Sequence, residues 1–449
     1  MGKLFGTDGI RGIANKDLTA ELAFKTGQCG AYVLTKHTVS RPRILIGKDT
    51  RKSGDMLEAA LTAGLCSVGA KVIPLGIVPT PAVAYLTRLY KADAGVVISA
   101  SHNPCEYNGI KFFNGDGYKL SDGIENEIEA YILGEKTIEN LPTHGGVGYV
   151  SANHNAVEDY VSFACSTTDC RLDGMTIAVD CANGASYETA FKALNKLGAN
   201  VEAIHNTPDG VNINHKCGST HMESLQAYVT SIGADIGIAF DGDADRMLAV
   251  DEKGNLIDGD QIMAVCANFM REQGKLKQNT LVATVMSNLG LFIAGEEIGM
   301  NVLRTKVGDR YVLEEMLKNG YNIGGEQSGH IIFLDHNTTG DGLVSAIQFL
   351  SVLKKTGKKA SEAVSIVNIL PQVLVNATVK LENKDKYMEN EEIAAACKAL
   401  EDEFAGDGRV LIRPSGTEPL VRVMIEGKDK EYIKKKATEL AKMIEKLLG

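Results

Sequence analysis

Four stretches of this chain carry the residue types for chemistry. They are a serine that ends an apolar run, a loop of alternating aspartates, a glycine-bounded Glu-x-Ser and an arginine-rich loop. In the first, Gly95-Val96-Val97-Ile98-Ser99-Ala100-Ser101-His102-Asn103-Pro104, a strand-type run empties into a turn and brings Ser101 to its end. A serine hydroxyl carries an acyl or a phosphoryl group, and its neighbours decide which. Acyl transfer needs a Gly-x-Ser-x-Gly elbow, whereas Ser101 is flanked by Ser99 and Asn103. His102, Asn103 and Lys111 instead offer donors for a phosphoryl group. In the second stretch, Asp241-Gly242-Asp243-Ala244-Asp245-Arg246, three carboxylates on alternate residues repel unless a divalent cation neutralises them, and hard oxygen ligands favour Mg²⁺. Arg246 adds a positive charge for the same phosphate. An EF-hand is rejected, because Arg246 stands at its obligatory glycine and Met247-Leu248-Ala249-Val250 reads as a strand. A phosphatase with Asp241 as nucleophile remains an alternative.

In the third stretch, Gly324-Gly325-Glu326-Gln327-Ser328-Gly329-His330, a carboxylate and a hydroxyl two residues apart can bond adjacent sugar hydroxyls. His330 is a general acid/base or a strand residue at the loop edge. In the fourth, Arg413-Pro414-Ser415-Gly416-Thr417-Glu418-Pro419 with Arg422 offers guanidinium forks, two hydroxyls and backbone N–H groups, a phosphate cradle without a metal. No Gly-x-x-x-x-Gly-Lys-Ser/Thr loop or dinucleotide fingerprint occurs, which disfavours a nucleotide-dependent kinase and a dehydrogenase. A carrier serine, a metal site, a sugar reader and a second phosphate clamp together describe an enzyme that moves phosphate between two ends of one sugar.

These stretches need elements to position them. The chain of 449 residues is too long for one core. Apolar runs at 43–47, 72–76, 176–180, 236–240 and 281–285 alternate with helical stretches such as 53–68 and 188–197, which predicts βαβ units of the α/β class. The runs at 44, 177 and 281 repeat faintly, as three copies of one unit would. Composition shifts near 145–155, 252–258 and 366–372 mark expected domain boundaries. The last segment predicts a small α+β domain, with two strands around the arginine loop and a helix over 428–448. A formal net charge of −10 argues against non-specific binding to nucleic acid or anionic membrane, so any phosphate needs a local site. The nine cysteines are scattered without a CxxC pair and read as reduced thiols. No signal-peptide region opens the chain and no run approaches the ~20 apolar residues of a membrane span, so a soluble, cytoplasmic protein is expected.

Lys3-Leu4-Phe5-Gly6-Thr7-Asp8-Gly9-Ile10-Arg11-Gly12, Ala100 to Pro104, Asp241 to Arg246, Gly325 to His330 and Arg413 to Pro419 resemble, in order and spacing, the motifs of the α-D-phosphohexomutase family. The likeness runs the whole length. Three features resemble its amino-sugar branch: Phe5 to Gly9, the stretch from Asn212-Ile213-Asn214 to Cys217-Gly218-Ser219-Thr220-His221, and Gln327, where relatives acting on glucose or mannose phosphates usually carry Met. Cys105 and Glu106 depart from the aromatic and acidic residues expected after the serine motif.

The resemblance implies three similar α/β domains and a C-terminal α+β domain around a central cleft, divided at 1–152, 153–254, 255–368 and 369–449. It implies one Mg²⁺ per chain held by Ser101, Asp241, Asp243 and Asp245, a phosphorylated Ser101, and a sugar bisphosphate as intermediate and activator. Glu326 and Ser328 would hold the 3- and 4-hydroxyls, and Arg413, Ser415, Gly416, Thr417 and Arg422 the non-reacting phosphate. Mg²⁺, Arg246 and Lys111 would supply the electrostatic stabilisation. Lys111, His330 and Arg11 are the acid/base candidates, and His102 joins the catalytic set. The implied reaction interconverts glucosamine 6-phosphate and glucosamine 1-phosphate, feeding amino-sugar nucleotide and cell-wall synthesis; a phosphoglucomutase or phosphomannomutase is the alternative. The expected partners are a small phosphosugar, a second copy of the chain in a homodimer and a kinase that primes Ser101.

Overall fold

Several strands of this chain are apolar on both faces, which requires helices on either side of the sheet. A computed structural model describes residues 4–6, 8–36, 40–152, 155–387, 389–415 and 418–449. The first sheet contains β1 (Phe5–Gly6), β2 (Gly9–Ile13), β3 (Arg43–Lys48), β4 (Lys71–Ile77), β5 (Ala94–Ile98), β6 (Tyr107–Asn114) and β7 (Tyr149–Val150), in the order β1-β2-β6-β5-β3-β4-β7. Ile44, Leu45 and Ile46 in β3 are all fully buried. The second sheet holds β8 (Thr176–Asp180), β9 (Asn200–Ile204), β10 (Ile236–Phe240), β11 (Met247–Asp251) and β12 (Leu256–Ile257), ordered β12-β11-β10-β8-β9. The third holds β13 (Thr280–Thr284), β14 (Asn301–Thr305), β15 (Ile323–Gly325) and β16 (Ile331–Phe333), ordered β14-β13-β15-β16.

One topology recurs in all three. A first strand (β3, β8 or β13) pairs in parallel with the next two strands. The later of those two then turns back into an antiparallel fourth, β6, β11 or β16. The apolar runs at 44, 177 and 281 are the first strand each time, so the faint repetition in the sequence is a repeat in the fold. Ser101, the 241–246 loop and the 326–330 loop all occupy the connection between the third and fourth strands of their copies. The fold thus presents its chemistry from one recurring position.

By packing, the chain divides into two compact units, Met1–Met286 with Met300–Ile366, and Ser287–Gly299 with Val367–Gly449. The second unit has an antiparallel sheet of β17 (Gln372–Thr378), β18 (Gly408–Pro414) and β19 (Leu420–Gly427), with β19 in the middle. Val421, Val423 and Ile425 pack there against Ile433, Ala437 and Ile444 of the helix Lys430–Leu448. That helix starts two residues later than the periodicity suggests, because the Asp429 carboxylate caps it by accepting from the N–H groups of Glu431 and Tyr432, both at 3.0 Å. Among the described residues no helix is long and apolar enough to cross a membrane.

In the first unit the helices Ala20–Thr35 and Ser53–Ser67 approach each other through glycines. A Cβ at Gly64 would lie 2.1 Å from the carbonyl oxygen of Phe24 and 2.8 Å from the N–H nitrogen of Gln28, both backbone atoms that cannot swing aside. Gly64→Ala should therefore lower stability through overpacking, by about 1–3 kcal/mol, measurable as a lower denaturant midpoint with an unchanged m-value.

Candidate active site

The 241–246 loop connects β10 to β11, and each of its aspartates meets a different segment. Asp241 accepts a 2.7 Å hydrogen bond from the Ser101 hydroxyl, 140 positions away in sequence. Asp243 accepts from the Thr80 hydroxyl at 2.6 Å and the Lys111 ammonium at 2.9 Å. Asp245 lies 3.8 Å from Nε2 of His330 and 3.8 Å from Nε of Arg246. Backbone bonds fix the loop from outside, with Ala185 N–H donating to Gly242, Gly342 N–H to Ala244 and Thr80 N–H to Asp243.

All three aspartates are buried, and oxygens of the three lie within 4.8 Å of one another. Burial and then the Asp245 and Asp243 carboxylates push Asp241 well above the usual carboxylate range. Burial and Asp243 raise Asp245 as well. Burial alone would also raise Asp243, but Lys111 and its hydrogen-bond partners hold it well below that range. Oδ1 of Asp243 and Oδ1 of Asp245 are buried with no hydrogen-bond partner among the described residues. Crowded oxygens with unfilled lone pairs and excess negative charge suit a divalent cation.

Positive charge is arranged just beyond. Lys111, on β6, bridges Asp243 and Asp8, with its Nζ 2.9 and 2.8 Å from their oxygens. Burial works against its ammonium, yet Asp243 and Asp8 hold its pKa above the ordinary value. Asp8 is also paired with Arg11 and, at 2.8 Å, with Lys119, which reaches Asp309 at 2.6 Å. His330 is buried, neither of its ring nitrogens is hydrogen-bonded among the described residues, and its Nε2 lies 3.7 Å from Asp309. His102 Nδ1 is 3.3 Å from the Ser101 hydroxyl; burial and the Arg246 charge push its pKa down to about 4.

The 326–330 loop is a tight turn in which Gly329 N–H donates to Glu326 and Glu326 N–H to the His330 carbonyl. Gly329 has φ +92, and a Cβ there would lie 2.3 Å from the Met247 carbonyl oxygen. Its own carbonyl accepts from Met247 N–H at 3.0 Å, which joins this loop directly to the end of the aspartate loop. Glu326 Oε1 accepts from Gly308 N–H, Gln327 Nε2 donates to Asp258, and Ser328 is exposed.

Ser101, His102, Lys111, Arg11, the three aspartates, Arg246, Glu326, Ser328 and His330 all belong to the first unit. Arg413, Ser415 and Arg422 belong to the second, and Gly416 and Thr417 lie outside the described residues. Arg413 and Arg422 stand opposite each other across β18 and β19, and burial together with the Arg422 charge lowers the Arg413 pKa. Sequence reasoning passed over Thr80, Lys119 and Asp309, and quoted Asp8 only as part of a motif. Their signal lies in tertiary pairing, which spacing alone does not carry.

Four domain descriptions of one family match the chain. They are "Phosphoglucomutase/phosphomannomutase, alpha/beta/alpha" domain I over residues 2–139, domain II over 155–254 and domain III over 258–369, and the family's C-terminal domain over 374–443. The chain is 63% identical over 449 residues to a phosphoglucosamine mutase of Acetivibrio thermocellus, covering 100% of both chains. It is 60% identical to one of Clostridium acetobutylicum, covering 99% of both. Among solved structures it shares the fold of a phosphoglucomutase/phosphomannomutase family protein from Burkholderia thailandensis, with a TM-score of 0.82 at 23% identity, covering 99% of this chain and 97% of that one. It also shares the fold of Aspergillus fumigatus N-acetylphosphoglucosamine mutase, solved in complex with GlcNAc-6P and magnesium, with a TM-score of 0.71 at 17% identity, covering 99% and 96%. With the family descriptions matching in order along nearly its whole length, this chain belongs to the phosphoglucomutase/phosphomannomutase family.

Proposed function

We propose that this chain is an intramolecular phosphotransferase of the isomerase class that interconverts glucosamine 6-phosphate and glucosamine 1-phosphate in the cytoplasm. The observation that carries the reading is the Ser101 hydroxyl bonded at 2.7 Å to Asp241, one of a buried trio of aspartates whose charge is only partly compensated. The amino sugar is supported by the phosphoglucosamine mutases that the chain matches end to end. Each domain of the division 1–152, 153–254, 255–368 and 369–449 contributes one of the four chemical stretches.

Asp241, Asp243, Asp245 and Ser101 would hold one Mg²⁺ per chain, and the residues fit it because two of their buried oxygens have no hydrogen-bond partner among the described residues. When bound, the cation neutralises oxygens of the phosphoryl group in transfer. In the active chain Ser101 carries a phosphate. A free hydroxyl of the sugar phosphate attacks that phosphorus, the bond from phosphorus to Ser101 Oγ breaks, and a new bond to the sugar oxygen forms. The hydroxyl proton goes to a base drawn from His330 and His102, and Ser101 Oγ takes a proton from an acid drawn from Lys111 and Arg11. The resulting bisphosphate turns over and returns its other phosphate to Ser101 by the same exchange. Lys111 and Arg246 offset the charge that spreads over the phosphoryl oxygens. Glu326 and Ser328 hold the 3- and 4-hydroxyls in either orientation. Arg413, Ser415, Gly416, Thr417 and Arg422 clamp the phosphate at rest, supported by two like charges facing each other across a ladder. A second copy of the chain and a kinase that first phosphorylates Ser101 complete the proposed partners.

Phosphorus NMR tests the reaction on Mg²⁺-loaded enzyme primed with a trace of sugar bisphosphate and given glucosamine 6-phosphate or glucose 6-phosphate. The amino sugar should convert faster, without release of free phosphate as the main product. Ser101→Ala should lose on the order of 10³-fold or more in turnover, because it removes the hydroxyl that carries the phosphate in this reading. Full activity in that variant would favour Asp241 as a phosphatase nucleophile. Magnesium should raise the thermal midpoint of the unaltered chain, and this rise should shrink or vanish in Asp243→Asn along with about 10²-fold of the turnover. An equal rise in both proteins would remove Asp243 from the metal site.

A further inference from the structure

The stretch from Asn212 to His221, singled out in the sequence, has no part in the chemistry above, yet it packs on the serine loop. Asn214 is buried, sits in left-handed backbone at φ +58 and donates its N–H to the Ala182 carbonyl. Its side-chain Nδ2 donates to two carbonyls of the serine loop, those of Ser101 at 2.8 Å and Asn103 at 3.0 Å. Arg51 donates to the same two carbonyls, at 2.9 and 2.8 Å, and to that of Pro104.

Ser101 needs such a grip, because at φ +52 it occupies backbone space that a serine leaves when free to do so. Its N–H is held as well, donating to Ser99 Oγ at 3.0 Å. The Ser99 hydroxyl in turn donates to Asp49 at 2.5 Å, and Asp49 is paired at 2.9 Å with Arg51 in full burial. Ser101 therefore lies inside a closed ring of bonds, and Asn214 is the member that comes from the second sheet's segment. A Cβ at Gly242 would lie 2.5 Å from the Ser101 carbonyl oxygen and 2.7 Å from Asn214 Nδ2, so the carboxamide is wedged between the serine and aspartate loops. The wedge is itself anchored. Asp180, at the end of β8, accepts from Ala182 N–H, His205 Nδ1 and Gly218 N–H, which pins both ends of the 205–218 segment to one carboxylate.

We propose that Asn214 is a positioning residue for phosphoryl transfer, holding the Ser101 carbonyl so that its hydroxyl stays aimed at Asp241. The inference rests on Ser101 being the phosphoryl carrier. The test uses full-length Asn214→Gly, which keeps left-handed backbone without strain and removes the donor, and Asn214→Asp, which keeps the shape and turns an acceptor toward two carbonyls. Dephosphorylated chains are mixed with Mg²⁺ and glucosamine 1,6-bisphosphate. Phosphate uptake is followed by intact mass, alongside kcat, KM and thermal midpoint.

Uptake rate and kcat should fall together by about 10- to 100-fold, more in the Asp variant, with KM for the sugar phosphate changed by less than about twofold. Uptake at the unaltered rate in a folded variant would overturn the proposal. So would a raised KM with unchanged kcat, or failure of both variants to fold, which would make the role one of stability alone. If the unaltered chain takes up no phosphate, the carrier reading falls and this inference with it.

Discussion

Everything at the candidate site answers to one electrostatic constraint, the burial of three carboxylates on six consecutive residues. Buried charge is costly unless it is paired, and here the pairing is incomplete. Lys111 and Thr80 satisfy one oxygen of Asp243, the Ser101 hydroxyl satisfies one of Asp241, and Oδ1 of Asp243 and Oδ1 of Asp245 have no hydrogen-bond partner among the described residues. A folded chain that leaves such groups open carries a local cost that a divalent cation could offset. The outer pairs keep that cost within bounds, because Asp8 passes negative charge back to Lys111, Lys119 and Arg11.

The repeated topology makes this concentration possible. Each α/β copy ends its third strand, buried on both faces, in a connection to an antiparallel fourth, and that connection is where backbone leaves the sheet with its polar groups unspent. Three such connections supply the serine, the aspartates and the Glu-x-Ser turn. They are not merely near one another. Gly329 and Met247 share a backbone hydrogen bond, and Ser101 reaches Asp241 by its side chain. A displacement of any copy would be felt at all three loops.

Much of this was legible in the residues. Ser101, the aspartate loop and the 326–330 turn announce themselves because each joins an apolar strand to a cluster of polar residues that a strand cannot keep. The runs at 44, 177 and 281 show a faint repeat in the sequence, since parallel strands buried on both faces leave unbroken apolar runs, and the structure makes each the first strand of its copy. By contrast, β17 and the helix Glu391–Phe404 went unread, because β17 is a partly exposed edge strand of mixed composition and the helix is rich in charge. Asp49, Arg51 and Thr80 were invisible as functional residues for another reason, and Asn214 stood out only as part of a motif. Their meaning lies in carbonyls and carboxylates supplied by segments far away in the chain, and no local pattern encodes that.

The second unit follows the same logic with the sign reversed. Its central strand β19 places Arg422 directly opposite Arg413 on β18, a pairing of like charges that costs stability in an antiparallel ladder. Glu418 reaches Arg422 only at 3.7 Å, and among the described residues no carboxylate pairs with Arg413. Elsewhere in the same sheet the charges are matched, as where Arg409 meets the buried Glu426 at 2.8 Å. The unit therefore neutralises a guanidinium at one end of β18 and leaves two facing each other at the other. An anion with several oxygens would relieve that repulsion and fit the planar forks of two arginines.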